Sequence, residues 1–171
     1  FTGAVRPRGR IHGVISLVGS HPTVARLRLA EAALQNAGRL QPEAGETHLA
    51  AAFLRYCQLD YNAARRELAA AQRALPNESF VFELEGYIDR RQGRWQESER
   101  NLLRALDLDP RNFYFLQQLS LTYEKQRRFD EVRVFMERAL AVAPNDSGAR
   151  TNRAEIALYA PSETKPHAPD F

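Results

Sequence analysis

The residues able to do chemistry are few and badly spaced for it. Four histidines stand at His12, His21, His48 and His167, and none lies three or four residues from another histidine or from the single cysteine, Cys57. That spacing offers no metal site, and one cysteine allows neither an internal disulfide nor a thiolate cluster. Cys57 with His48 could suggest a nucleophile and its base. Nine residues along one helix, however, separate them by about 13 Å. Glu83 and Glu85, like Glu97 and Glu99, are carboxylates two apart, which point to different sides of a helix and read as solvated faces. GRW at 93–95 lacks the pattern of a phosphate-binding loop and reads as a turn glycine followed by a helix start. These residues predict no enzyme, no cofactor and no metal.

Charge narrows the partners. The net charge is +3, but residues 1–42 hold six arginines against Glu31 alone, so that stretch carries +5 and the remainder −2. A nucleic-acid reader spreads basic charge along its binding element, and a near-neutral body argues against that role. No run of apolar residues reaches the length of a membrane helix. RPRGR followed by IHGVISLVG is interrupted by His12 and two glycines and does not read as a signal peptide. One cysteine suits a reducing compartment, and the expected location is cytoplasmic.

What must position any functional side chain is a repeat. CQLDYNAARRELAAAQRALP ends at Pro76; RRQGRWQESERNLLRALDLDP ends at Pro110; KQRRFDEVRVFMERALAVAP ends at Pro144. At a thirty-four-residue step the columns are Tyr61, Trp95, Phe129; Ala64, Ser98, Val132; Leu68, Leu102, Met136; and Ala71, Ala105, Ala139. Intervals of three and four trace one face of a helix. The proline ends it and pushes its predecessor out of helical geometry. The first half of each unit, THLAAAFLRYC, FVFELEGYIDRR and FYFLQQLSLTYEK, predicts a second helix, with Ala52, Gly86 and Ser120 small where helices approach closely. Asn77-Glu78, Arg111-Asn112 and Asn145-Asp146 are placed to cap the next helix.

Helix, turn, helix, turn at this period resembles the tetratricopeptide repeat family, whose small, aromatic and proline positions occur in the same order. The full matches are residues 45–78, 79–112 and 113–146. The family's early aromatic is present as Phe82 and replaced by His48 and Leu116. The expected fold is all-α: a right-handed α–α superhelix of three full hairpins with flanking helices. Residues 23–38 read as the second helix of a degenerate unit. Residues 147–160 read as a capping helix closing a single domain over 23–160, with 1–22 an irregular segment or degenerate first helix and 161–171 a disordered tail.

The resemblance implies a concave groove lined by first helices, and with it a protein-interaction scaffold that binds a protein or peptide segment. Candidate groove residues are Phe53, Tyr56, Phe80, Glu83, Tyr87, Arg90, Arg91, Tyr114, Gln117, Leu121, Lys125 and Asn152, with Glu46, Leu49, Glu124, Thr151 and Glu155 alongside. Phe53 and Phe80 are expected to serve the core at least in part, and Tyr87 and Tyr114 to be exposed. Family members that hold acidic chaperone tails use lysine, asparagine and arginine where this chain has Leu49, Phe53, Leu84, Tyr114 and Gln118, so no such binding is expected. Arg90, Arg91 and Arg94 recur as Lys125, Arg127 and Arg128. They read as complements to helix C-terminal dipoles rather than as a basic ridge. The alternative function is a regulatory or assembly segment of a larger bacterial signalling or transcription-regulating protein. The terminal helices could also support a homo-oligomer.

Overall fold

The computed structural model describes residues 23–154 except 149 and 152. Expectations for residues 1–22, Asn152, Glu155 and the segment beyond lie outside the described residues. Among the described residues seven helices follow in order: α1 (Val24–Leu40), α2 (Gly45–Cys57), α3 (Tyr61–Ala74), α4 (Ser79–Arg91), α5 (Trp95–Leu108), α6 (Phe113–Lys125) and α7 (Phe129–Val142). Helical backbone resumes at Ser147. Three antiparallel hairpins, α2–α3, α4–α5 and α6–α7, stack in sequence, each second helix lying against the next first helix.

The same local rule ends each element. Gln41, Leu75, Asp109 and Ala143 each precede a proline and each take φ between −132° and −147°, outside helical space. The turn inside each hairpin is a Schellman motif. Amides of Asp60, Arg94 and Arg128 reach back to the carbonyls of Arg55, Asp89 and Tyr123 at 2.9–3.0 Å. The residue before each must be left-handed: Leu59 (φ 64°), Gly93 (φ 74°) and Arg127 (φ 59°). Only the middle hairpin has the glycine this geometry favours. Helix starts are capped by Thr23, Asp60, Glu78 and Asn112, whose side chains accept from first-turn amides.

The columns of small residues explain how closely the helices pack. Ala52, Ala64, Ala71, Ala105, Ala139 and Ser98 are wholly buried. A Cβ added at Gly86 would stand 2.8 Å from Leu102 Cγ and 3.3 Å from the Ser98 carbonyl, so only glycine fits there. Ser98 Oγ donates to the Gly86 carbonyl at 2.8 Å, fixing α5 on α4. Around these contacts the core forms three successive clusters along the stack, bridged by the half-buried Phe53 and Tyr87. Ala30 packs with Ala50 and Leu54; Leu49, Leu68, Val81, Leu84 and Ile88 fill the next layer; Leu102, Leu116, Leu119, Val132 and Met136 fill the last.

Polar joints connect successive hairpins and alternate in sign. Glu31, Arg65, Glu99 and Arg133 stand thirty-four residues apart on successive second helices. Arg65 meets the buried carboxylate of Asp89 on α4 at 2.6 Å, where Arg94 (3.0 Å) and Asn101 (2.8 Å) also bind. One repeat on, Glu99 takes the place of Arg65. It accepts from Tyr123 Oη (3.0 Å), which stands where Asp89 did, and pairs with Arg128 at 2.7 Å. Arg94 and Arg128 share one repeat position and pair with the acid on either side of the joint. They sit at helix N-caps. The dipole reading of these cations is therefore corrected: they neutralise inter-hairpin carboxylates. Glu99 likewise is no solvated carboxylate.

Candidate peptide-binding face

The first helices α2, α4 and α6 present one face on which residues three and four apart meet. On α2 and α4 four rings touch in an arc. Phe80 lies 5.9 Å from Phe53, Phe53 lies 6.5 Å from Tyr56, and Tyr56 lies 6.1 Å from Tyr87, all tilted. Tyr61 joins the arc through Tyr56 at 6.1 Å. These rings are half-buried, with Phe53 and Phe80 also roofing the core beneath. Centroid spacings in this range are those of favourable aromatic pairs.

Glu83 lies on α4 between Phe80 and Tyr87 and is 7% exposed. The Tyr87 hydroxyl donates to its Oε1. The expected exposure of Tyr87 is thus overturned: Tyr56 covers its ring and Glu83 takes its hydroxyl. Glu83 is also not a solvated face, being buried with its carboxylate bonded to the Tyr87 hydroxyl. Burial pushes the Glu83 carboxyl up to about 7, outweighing the Tyr87 hydrogen bond and the Arg90 charge that oppose it. Burial likewise holds the Tyr87 phenol well above its ordinary range.

Arg90 does not project into solvent. Its guanidinium stands 5.3 Å above the Tyr87 ring and crosses to α6. There it donates to Gln118 Oε1 (2.7 Å), the Gln118 carbonyl (3.3 Å) and Thr122 Oγ1 (3.1 Å). Desolvation lowers its pKa from the usual arginine value. Gln118 and Thr122 were not among the sequence candidates as partners of Arg90. Their signal was weak, since the contacts span 28 and 32 residues.

The remaining candidates separate by exposure. Tyr114, in the first turn of α6, is 67% exposed and makes an edge contact with Phe113 at 5.8 Å, apart from the arc. Arg91, Glu124, Lys125 and Thr151 are exposed, while Glu46, Gln117 and Leu121 are half-buried. Leu49 is wholly buried, as is Leu84, so neither faces a ligand. Cys57 is half-buried at the edge of the α1–α2 layer, and burial pushes its thiol up to about 11, an unreactive state.

Among the described residues no group of three histidine, cysteine, aspartate or glutamate side chains could hold a metal ion. No described helix is long and apolar enough to cross a membrane.

No family model matches the sequence, and no curated protein matches it. Solved structures share its fold. PilF of Pseudomonas aeruginosa superposes with a TM-score of 0.73 over 90% of this chain and 68% of its own, at 17% identity. The tetratricopeptide domain of Arabidopsis OM64 gives 0.61 over 67% of this chain and 95% of its own, at 15% identity. The first tetratricopeptide domain of Spaghetti (RPAP3), bound to the HSP90 peptide SRMEEVD, gives 0.58 over 63% and 88%, at 16% identity. At these identities the likeness is one of fold: an all-α superhelical stack of tetratricopeptide hairpins.

Proposed function

We propose that this chain, a superhelical stack with the tetratricopeptide fold, is a protein-interaction module that holds a peptide or protein segment across the first-helix face of α2, α4 and α6. The observation that carries the reading is Tyr114, a large ring left 67% exposed at a first-helix position. Exposed aromatics supply much contact area with little rotamer entropy to lose, which makes them common anchors for partners. The peptide complex of the RPAP3 domain supports the class of function and not the ligand. Leu49 and Leu84 are buried and Gln118 is held by Arg90, so an acidic tail finds no free cation at those places. We therefore expect no saturable binding of SRMEEVD.

The test is affinity capture with the whole chain, repeated with Tyr114→Ala and with Val134→Ser, an exposed position on the second helix α7. Loss of a partner with the first variant and retention with the second supports this face. A partner retained by Tyr114→Ala and lost with Val134→Ser assigns binding to the outer helices and ends the reading.

A further inference from the structure

The arc of rings on α2 and α4 borders a carboxyl, Glu83, that forms no ion pair of its own among the described residues; the charge of Arg90 acts on it only from a guanidinium hydrogen-bonded elsewhere. Phe80, Phe53, Tyr56 and Tyr87 touch in succession, and Glu83 stands on α4 between the two ends of that sequence. Arg90 donates from both terminal nitrogens to Gln118 and Thr122 on α6 instead. One oxygen of Glu83 accepts from Tyr87, and an ionised carboxylate has acceptor capacity well beyond a single bond.

We infer that this arc is a subsite for a cationic side chain, lysine or arginine, of a bound polypeptide segment, with Glu83 pairing its charged head. The inference rests on the groove reading above and names the chemistry of the occupant. Three properties of the site favour a cation over an apolar or acidic side chain. Aromatic faces attract ammonium and guanidinium groups electrostatically, most strongly where water is excluded. The methylenes of a lysine or arginine stem are apolar and suit the same rings. A buried carboxyl gains from any ligand that supplies a further countercharge, and at Glu83 burial outweighs the Arg90 charge and the Tyr87 hydrogen bond, pushing the group up to about 7. An acidic ligand side chain would face like charge and is excluded.

The experiment uses the full chain and four blocked pentapeptides, alanine throughout except a central lysine, arginine, norleucine or glutamate. Titrations at pH 7.5 are followed by the ring proton resonances of Phe53, Tyr56 and Tyr87. The expected result is saturable shifts with lysine and arginine. Their dissociation constants should be at least tenfold below that of norleucine, with glutamate weakest. Glu83→Gln, its fold checked by circular dichroism, should bring lysine and norleucine within about twofold; Glu83→Asp should retain part of the preference. Norleucine binding as tightly as lysine, no saturation by lysine or arginine at millimolar concentration, or a preference unchanged in Glu83→Gln would each overturn the cation subsite. Equal lysine and norleucine binding would leave the groove reading intact, since that reading stands or falls on Tyr114 and Val134.

Discussion

Replacing Glu83 by glutamine should stabilise the protein above neutral pH and leave it unchanged in acid. The folded-state carboxyl titrates at about 7 against an ordinary value of 4.5. A raised acid holds its proton in the folded state while the unfolded chain releases it. Stability therefore falls as pH rises from about 4.5 to 7, then levels off. At 1.36 kcal/mol per pKa unit, the ceiling on that loss is about 3 kcal/mol. Glutamine is neutral at every pH, and its carbonyl still accepts from the Tyr87 hydroxyl. Urea unfolding by circular dichroism at pH 4.5, 5.5, 6.5 and 8 compares the two proteins directly. Asp89 and Glu85, also raised by burial, cancel in the difference at each pH. The variant should match wild type at pH 4.5 and exceed it at pH 8, by up to about 3 kcal/mol or several degrees in Tm. An advantage independent of pH, or a less stable variant at pH 8, would refute the assignment of Glu83 as an acid whose burial outweighs its partners.

Three further outcomes follow from the packing. Leu59→Gly and Arg127→Gly should each raise stability by about 0.5–1 kcal/mol by relieving a left-handed residue, and Gly93→Ala should lower it by about 1 kcal/mol, all read from thermal unfolding. Asp89→Ala removes the shared partner of Arg65, Arg94 and Asn101. Because those arginines are 33% and 44% exposed and can rehydrate, the cost should be about 2 kcal/mol, below that of breaking a fully buried pair. Gly86→Ala should cost about 1–3 kcal/mol, since the new methyl would collide with Leu102, and Leu102→Ala in the same chain should recover part of the Gly86 term.

Helix positions, their ends and their packing columns were legible because each solves the same problem every thirty-four residues. The buried Ala71, Ala105 and Ala139 and the proline-set ends are read straight from that period. The joints were not. Arg65 and Asp89 are 24 residues apart, and the sign of the pair reverses at Glu99, so no single column shows a charge pattern. Read as alternation, Glu31, Arg65, Glu99 and Arg133 do carry the signal. Glu83 and Tyr87 fall at groove positions on one face of α4, where that helix taken alone would leave them in water. Phe53 and Tyr56, from the preceding hairpin, cover that face, and a contact between hairpins is invisible to spacing within one helix.

The central claim is that partners bind the face of α2, α4 and α6. It is tested most directly by placing the photocrosslinking residue p-benzoylphenylalanine at Tyr114 or, separately, at Val134, irradiating in the source cell, and separating adducts by mass. A discrete protein adduct from position 114 and none from 134 is the predicted result. Adducts from 134 with none from 114 would contradict the account.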